Sequence, residues 1–205
     1  MSELSVGSLS GLAANSYVVD IASGSSLDLA NAKADSLPTS AISTGGILQV
    51  VSTTKTDTYS SSILTNAFDA TVVTGLSASI TPRSTNSKIL VRVELYGTQS
   101  TSNYAIMNYR IERDGTAIGV GDAAGSRPQL SARSVVVVND GNSQIAAPAA
   151  VLDSPSTTST VTYNVRIFNH NAGAATFYVN RSVLDSNDRN GGRPVSSITL
   201  IEVAG

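Results

Sequence analysis

The stretch from residue 104 to residue 127, YAIMNYRIERDGTAIGVGDAAGSR, limits what this chain can fold into more than any other. Met107, Tyr109 and Ile111 alternate with Asn108, Arg110 and Glu112. That period of two puts apolar and polar side chains on opposite faces of a strand. Asp114-Gly115 follows at once, and Asp-Gly between alternating runs is a strong hairpin signal because a type I′ turn needs positive φ at both central residues. The return strand is expected over residues 116–120, leaving through a glycine-rich exit.

Similar signals recur along the chain. Strands are expected over residues 47–54, 67–73, 76–80 and 89–95, the last with Ile89, Val91, Val93 and Leu95 on one face and Arg92 and Glu94 on the other. The valine run 134–138 reads as a strand buried on both faces or covered by a neighbour. Residues 145–152 carry Pro148, which marks an edge or a bulge. Val161, Tyr163, Val165 and Ile167 alternate with polar residues, and Asn171-Ala172-Gly173 is expected to close a second hairpin onto residues 175–180. Residues 196–203 supply the last strand. Eight to ten strands with Gly, Pro and Asn turns and no convincing helix define an all-β, antiparallel sandwich or barrel, and hairpins joined by long returns favour a jelly-roll-like sandwich. No fixed-period repeat indicates a propeller or a long shaft.

Residues 1–45 differ in character. Glu3, Asp20, Asp28 and Asp35 stand against Lys33 alone, and Tyr17 is the sole aromatic. The runs YVVDI (17–21) and LDL (27–29) about Gly24 permit a hairpin. The capping-box spacing of Ser25 and Asp28, with LANAKA (29–34) behind it and Pro38 as a stop, permits a short helix instead. Both remain open. Either way the segment carries too little apolar surface to offset its ordering entropy alone. An extended N-terminal arm, 1–45, is therefore expected ahead of a β domain, 46–205, with Gly45-Gly46 as the hinge.

Ser and Thr together number 52, while charged residues make up 14% of the chain. Ordinary globular chains carry about 25% charged residues. A surface of hydroxyls in place of charges suits packing against copies of the same chain, since interface cores are depleted in charge. The net charge of −2 and the scattered arginines give no electrostatic footprint for nucleic acid. Cysteine is absent, which excludes disulfides and thiolate metal sites. The start, MSELSVGSLSGL, lacks a basic region and a continuous apolar run, and no stretch approaches the length of a membrane span. A soluble chain, unprocessed at its start and not inserted in membrane, is the expectation.

Catalytic constellations are hard to assemble. His170 sits alone in an Asn-His-Asn turn and lacks sequence partners for acid-base work. Residues 119–124, GVGDAA, match a dinucleotide fingerprint formally, but Gly125 and Pro128 forbid the helix that would present amides to a pyrophosphate. Gly119, Gly121 and Gly125 read better as a tight corner. Glu94, Glu112, Asp114 and Asp122 show no spacing that selects a pair for glycoside cleavage. The loop from Asp185 to Gly192, DSNDRNGG, fails the calcium pattern at Arg189, leaving a polar loop or a looser ion site. Asn180-Arg181-Ser182 is formally a glycosylation sequon, and the strand tyrosines Tyr59, Tyr96, Tyr104, Tyr163 and Tyr178 suit core packing better than sugar stacking. No enzymatic activity, cofactor, or catalytic or metal site is expected.

Six segments in order carry a family resemblance: LQVVSTTKTD (48–57), SITP (79–82), SKILV (87–91), GVGDAAGSR (119–127), LDSP (152–155) and YVNRS (178–182). Over residues 46–205 the chain resembles the tail-fibre-like or structural β domains of marine and cyanobacterial bacteriophage virion proteins, and the arm resembles their short N-terminal attachment segments. These motifs are structural and transfer no active site. The resemblance implies a homotrimer of jelly-roll domains located on the virion. Its arm would bind other virion proteins, and its β domain would face outward, toward a host surface glycan. It fits a short fibre- or spike-like appendage, with a capsid decoration (cement) protein stabilising the head shell as the alternative. The position on the particle and the receptor stay open.

Overall fold

The computed structural model describes residues 44–69, 72–100, 104–137 and 141–205. The arm expected over residues 1–45 falls almost wholly outside them, so its hairpin and helix readings do too. Within them, every regular element is a strand: β1 (Ile47–Lys55), β2 (Tyr59–Ile63), β3 (Ala67–Phe68), β4 (Ser77–Ile80), β5 (Lys88–Gln99), β6 (Tyr104–Arg113), β7 (Thr116–Ile118), β8 (Ala132–Val137), β9 (Ile145–Asp153), β10 (Val161–Asn169), β11 (Ala175–Val179) and β12 (Ser196–Val203).

Several strands lie end to end and share a partner, so the described strands fill eight lanes. β1 and β2 make lane 1, β3 and β4 lane 2, β7 and β8 lane 5, β11 and β12 lane 8, while β5, β6, β9 and β10 are lanes 3, 4, 6 and 7. One sheet has the lane order 1-8-3-6 and the other 2-7-4-5. Lane 1 pairs with 8, 2 with 7, 3 with 6 and 4 with 5, all antiparallel. This is one long antiparallel ribbon wound into two sheets, the jelly-roll arrangement.

Alternation explains where the core sits. On β5, Ile89, Val91, Val93 and Leu95 point inward; on β6, Met107, Tyr109 and Ile111 do; on β10, Val161, Tyr163, Val165 and Ile167; on β12, Ile198 and Leu200. Each such side chain contributes about 1.5–3 kcal/mol of transfer free energy when buried. The polar tips that enter this core are bonded: Tyr109 donates to the Ala147 carbonyl at 2.8 Å and Tyr163 donates to Asp153 at 2.7 Å. Arg113 also pairs with Asp153, so lanes 4, 6 and 7 meet at one carboxylate.

The Asp114-Gly115 turn forms as expected, with φ of 47° and 83°. Pro148 lies on β9, a lane that ends its sheet, where a missing N–H costs least. Three expectations change. β3 ends at Phe68, well short of Val73. The turn at residues 171–173 makes no hairpin, because β10 and β11 belong to different sheets. Instead Asn169 Nδ2 donates to the carbonyls of Ile63, Leu64 and Gly173, and its Oδ1 accepts from the Asn171 amide, which builds a corner between the sheets. Lastly, Val135, Val136 and Val137 are exposed on an edge strand, Val137 by 73%, and are not buried on both faces within the chain.

Candidate interaction surfaces

No constellation of reactive side chains emerges from the expected positions. Glu94 and Glu112 lie on the outward faces of opposite sheets, since Val93 and Leu95 on one strand and Ile111 on the other point into the core. They cannot flank a common substrate. Asp114 accepts the Thr162 amide at 2.9 Å as part of its turn, and Asp122 is exposed in the loop after β7. His170 Nδ1 lies 3.1 Å from Asn108 Nδ2. Burial first, and the nearby Arg133 charge second, hold its imidazole below the usual histidine range, which favours the neutral ring beside this amide.

Glu112 is 1% exposed although it faces away from the core. Arg110 donates to it at 2.7 Å and Arg166 at 3.0 and 3.1 Å. Arg110 and Arg166 are direct cross-strand partners, a like-charge pairing that is unfavourable unless a counter-charge sits between them. Arg110 also stacks over Phe68 at 3.9 Å, and Phe68 packs on Phe168 at 4.8 Å. The polar side of β6 is thus a second packed layer, which two-residue alternation alone did not reveal. The signal was Phe168 breaking the polar phase of β10.

The glycine-rich exit is a loop between two strands of one lane. Gly119 has φ of 53° and Gly125 of 60°, and a Cβ on Gly119 would overlap Val151. Gly121 has open space around it, so the corner depends on the other two. Ser131 closes the gap in lane 5: its Oγ donates to the Ile118 carbonyl at 3.0 Å and accepts the Ile111 amide at 2.9 Å. No helix starts here, as the sequence required.

Lane 8 is interrupted in the same way. The loop 181–195 leaves after Asn180 and returns at Ser196. Asn180 is buried, so its side chain is closed to modification in the folded chain. Within the loop, Asp185 pairs with Arg193 at 2.7 Å and with Arg181 at 3.7 Å, so cationic side chains occupy the carboxylate considered for an ion. Among the described residues, no group of three or more His, Cys, Asp or Glu side chains is placed to hold a metal. Arg181 also covers the Tyr178 ring at 4.7 Å, and Tyr104 is the most exposed of the strand tyrosines.

The outward face of the 1-8-3-6 sheet holds what periodicity missed. Val50 pairs with Ile201, Ile201 with Leu90, and Leu90 with Leu152. Four apolar residues therefore stand in register straight across four strands, on the side away from the core. Val50 is 57% exposed and Leu152 56%. One step toward the sheet end, Ile47, 63% exposed, pairs with Val203. A one-faced sheet would carry polar residues here. The signal available in the sequence was Leu90, Leu152 and Ile201 standing out of phase with their own core residues.

No family model matches this sequence, and no curated protein matches it. Among solved structures, the chain is similar to one in the structure of infectious bursal disease virus Gx strain, at 17% identity and a TM-score of 0.38, over 76% of this chain and 37% of that one. This chain thus spans little more than a third of that chain's length. The fold and its surfaces define an antiparallel jelly-roll domain whose polar groups are largely engaged in holding its own frame.

Proposed function

We propose that this chain is a non-enzymatic structural protein of a bacteriophage virion, a short fibre- or spike-like appendage. Its N-terminal arm, residues 1–45, anchors it to other virion proteins. Its β domain assembles as a homotrimer and faces outward toward a host surface glycan. The observation that carries this reading is the way the resembling segments fall in the fold. LQVVSTTKTD forms β1, SKILV opens β5, LDSP ends β9, and YVNRS contains the Asn180 junction. These four segments build the frame, which suits a protein whose task is to hold shape. The best-paired acids, Glu112, Asp153 and Asp185, are held by arginines.

The test is incorporation into particles. Removing residues 1–43 leaves the bond from the Gly45 amide to the Ala204 carbonyl in place. The shortened chain should fold and fail to enter virions. Incorporation at the normal level would overturn the anchoring role. If particles lacking the protein lose resistance to heat and osmotic shock, the capsid decoration reading replaces the appendage.

A further inference from the structure

We propose that the apolar row Val50, Ile201, Leu90 and Leu152, extended by Ile47 and Val203, is the contact through which copies of this chain meet. The inference rests on the reading of the chain as a self-assembling structural protein, and it names the surface that such assembly uses.

Contiguous apolar patches on an open face mark interaction sites. This row lies on the outward face of a sheet, whereas small-molecule sites are concave clefts. Its occupant is therefore another broad apolar surface. The occupant must also be poor in charge, because burying an unpaired charge against the row would be costly. A second copy of this chain meets both conditions with the same row or with another of its charge-poor faces.

The charges beside the row support a second copy further. Lys88 and Arg92 flank Leu90 on β5, and Glu94 follows on the same face. Arg92 and Glu94 sit 3.9 Å apart with both side chains about half exposed. A surface that carries both signs side by side can be matched by another copy of itself, Arg92 of one against Glu94 of the next. Four strands at about 4.8 Å and eight residues at about 3.3 Å give the whole face roughly 500 Å² in projection. A stable interface buries ~800 Å² of accessible surface per partner, so the row is the apolar centre of a contact that takes in the polar residues around it.

The row also lies beside a fixed point of lane 1. The Gly45 amide donates to the Ala204 carbonyl, and the Ala204 amide donates to the Gly46 carbonyl, next to Val203. Copies that meet at this row bring their Gly45 residues close together.

Sedimentation of the full-length protein at tens of micromolar tests the proposal. The wild type should be an oligomer. The double substitution Val50→Lys/Leu152→Lys, at two exposed positions, should weaken association by more than about 30-fold and leave the circular dichroism spectrum unchanged. Arg92→Glu should weaken association several-fold, and Arg92→Glu/Glu94→Arg should restore it. A monomeric wild type, or a double variant that stays associated, would overturn the contact. In the second case the exposed valines of β8 become the next surface to change. Neither result bears on whether the chain enters virions, so this failure is distinct from failure of the incorporation test.

Discussion

Ser196 Oγ donates to Asn180 Oδ1 at 2.7 Å, sixteen positions away in sequence and fully buried. Asn180 Nδ2 donates in turn to the carbonyls of Lys55 and Asp57 at 2.8 and 2.9 Å, and its amide bonds Tyr96. One side chain therefore carries the ladder of lane 8 across the point where the loop 181–195 departs. Asn180 does so at φ of 58°, a conformation asparagine tolerates better than most residues.

Replacing Asn180 separates two costs. Asn180→Gly loses the side-chain bonds and keeps an easy backbone, and it should destabilise by about 2–3 kcal/mol through unsatisfied buried groups. Asn180→Ala adds strain of about 1–2 kcal/mol for the left-handed backbone. Urea denaturation should rank wild type above Gly and Gly above Ala. Equal midpoints for Gly and Ala would mean that the backbone relaxes.

Glu112 separates two arginines that face each other across β6 and β10. Glu112→Gln should destabilise the fold by about 3 kcal/mol, the scale for removing one partner of a buried ion pair. Arg166→Gln in the same background should cost less than it does alone, because the surviving arginine no longer has a like charge opposite. A double-mutant cycle by chemical denaturation reads this coupling.

Gly97 and Gly121 form a contrasting pair. A Cβ on Gly97 would lie 2.2 Å from the Tyr178 carbonyl oxygen and 2.5 Å from the Met107 methyl, whereas one on Gly121 meets nothing within 4 Å. Backbone cannot move aside cheaply. Gly97→Ala should lower stability by at least ~2 kcal/mol, within the overpacking range, and Gly121→Ala should change it by less than about 0.5 kcal/mol. Thermal melts of the two variants settle the ranking.

The pH response of His170 follows from its lowered pKa. Between the folded value and the unfolded one near 6.5, the unfolded chain binds more protons, so stability rises with pH through that window and falls as pH drops through it. From about pH 7.5 to about pH 5 the wild type should lose more stability than His170→Gln. Comparing the two chains cancels the shared titration of the carboxylates. A larger loss in the variant would show that the ring is instead stabilised as the cation by its surroundings.

Much of this fold was readable because its inward positions keep strict alternation: Ile89 to Leu95, Met107 to Ile111 and Val161 to Ile167 all name their own core face. Asp114-Gly115 named its own turn. The outward faces were harder, since alternation assigns every second residue to solvent. It does not distinguish Glu112, clamped between two arginines, from Glu94, which is half exposed. The apolar row was hidden for a different reason. Val50, Leu90, Leu152 and Ile201 are far apart in sequence and become neighbours only through pairing register. The turn at residues 171–173 was misread as a hairpin because a tight connection within one sheet and a tight corner between two use the same residue types.

The wound ribbon has a consequence for how the molecule comes into being. Lanes 4 and 5 are joined by a two-residue turn, while lane 1 pairs with lane 8, whose β12 is the last of the described strands. Closing long loops costs more entropy and slows folding. The ribbon is expected to zip outward from the Asp114-Gly115 turn, with lanes 1 and 8 pairing last, and pulse-labelled hydrogen exchange should protect β6 before β1. Lane 1 leaves the ribosome early and then waits for β12. The apolar row spans both of these lanes, so it is complete only once β12 has been made and paired. A nascent chain stopped before β12 would have no finished face to offer another copy, and assembly would be timed by that strand.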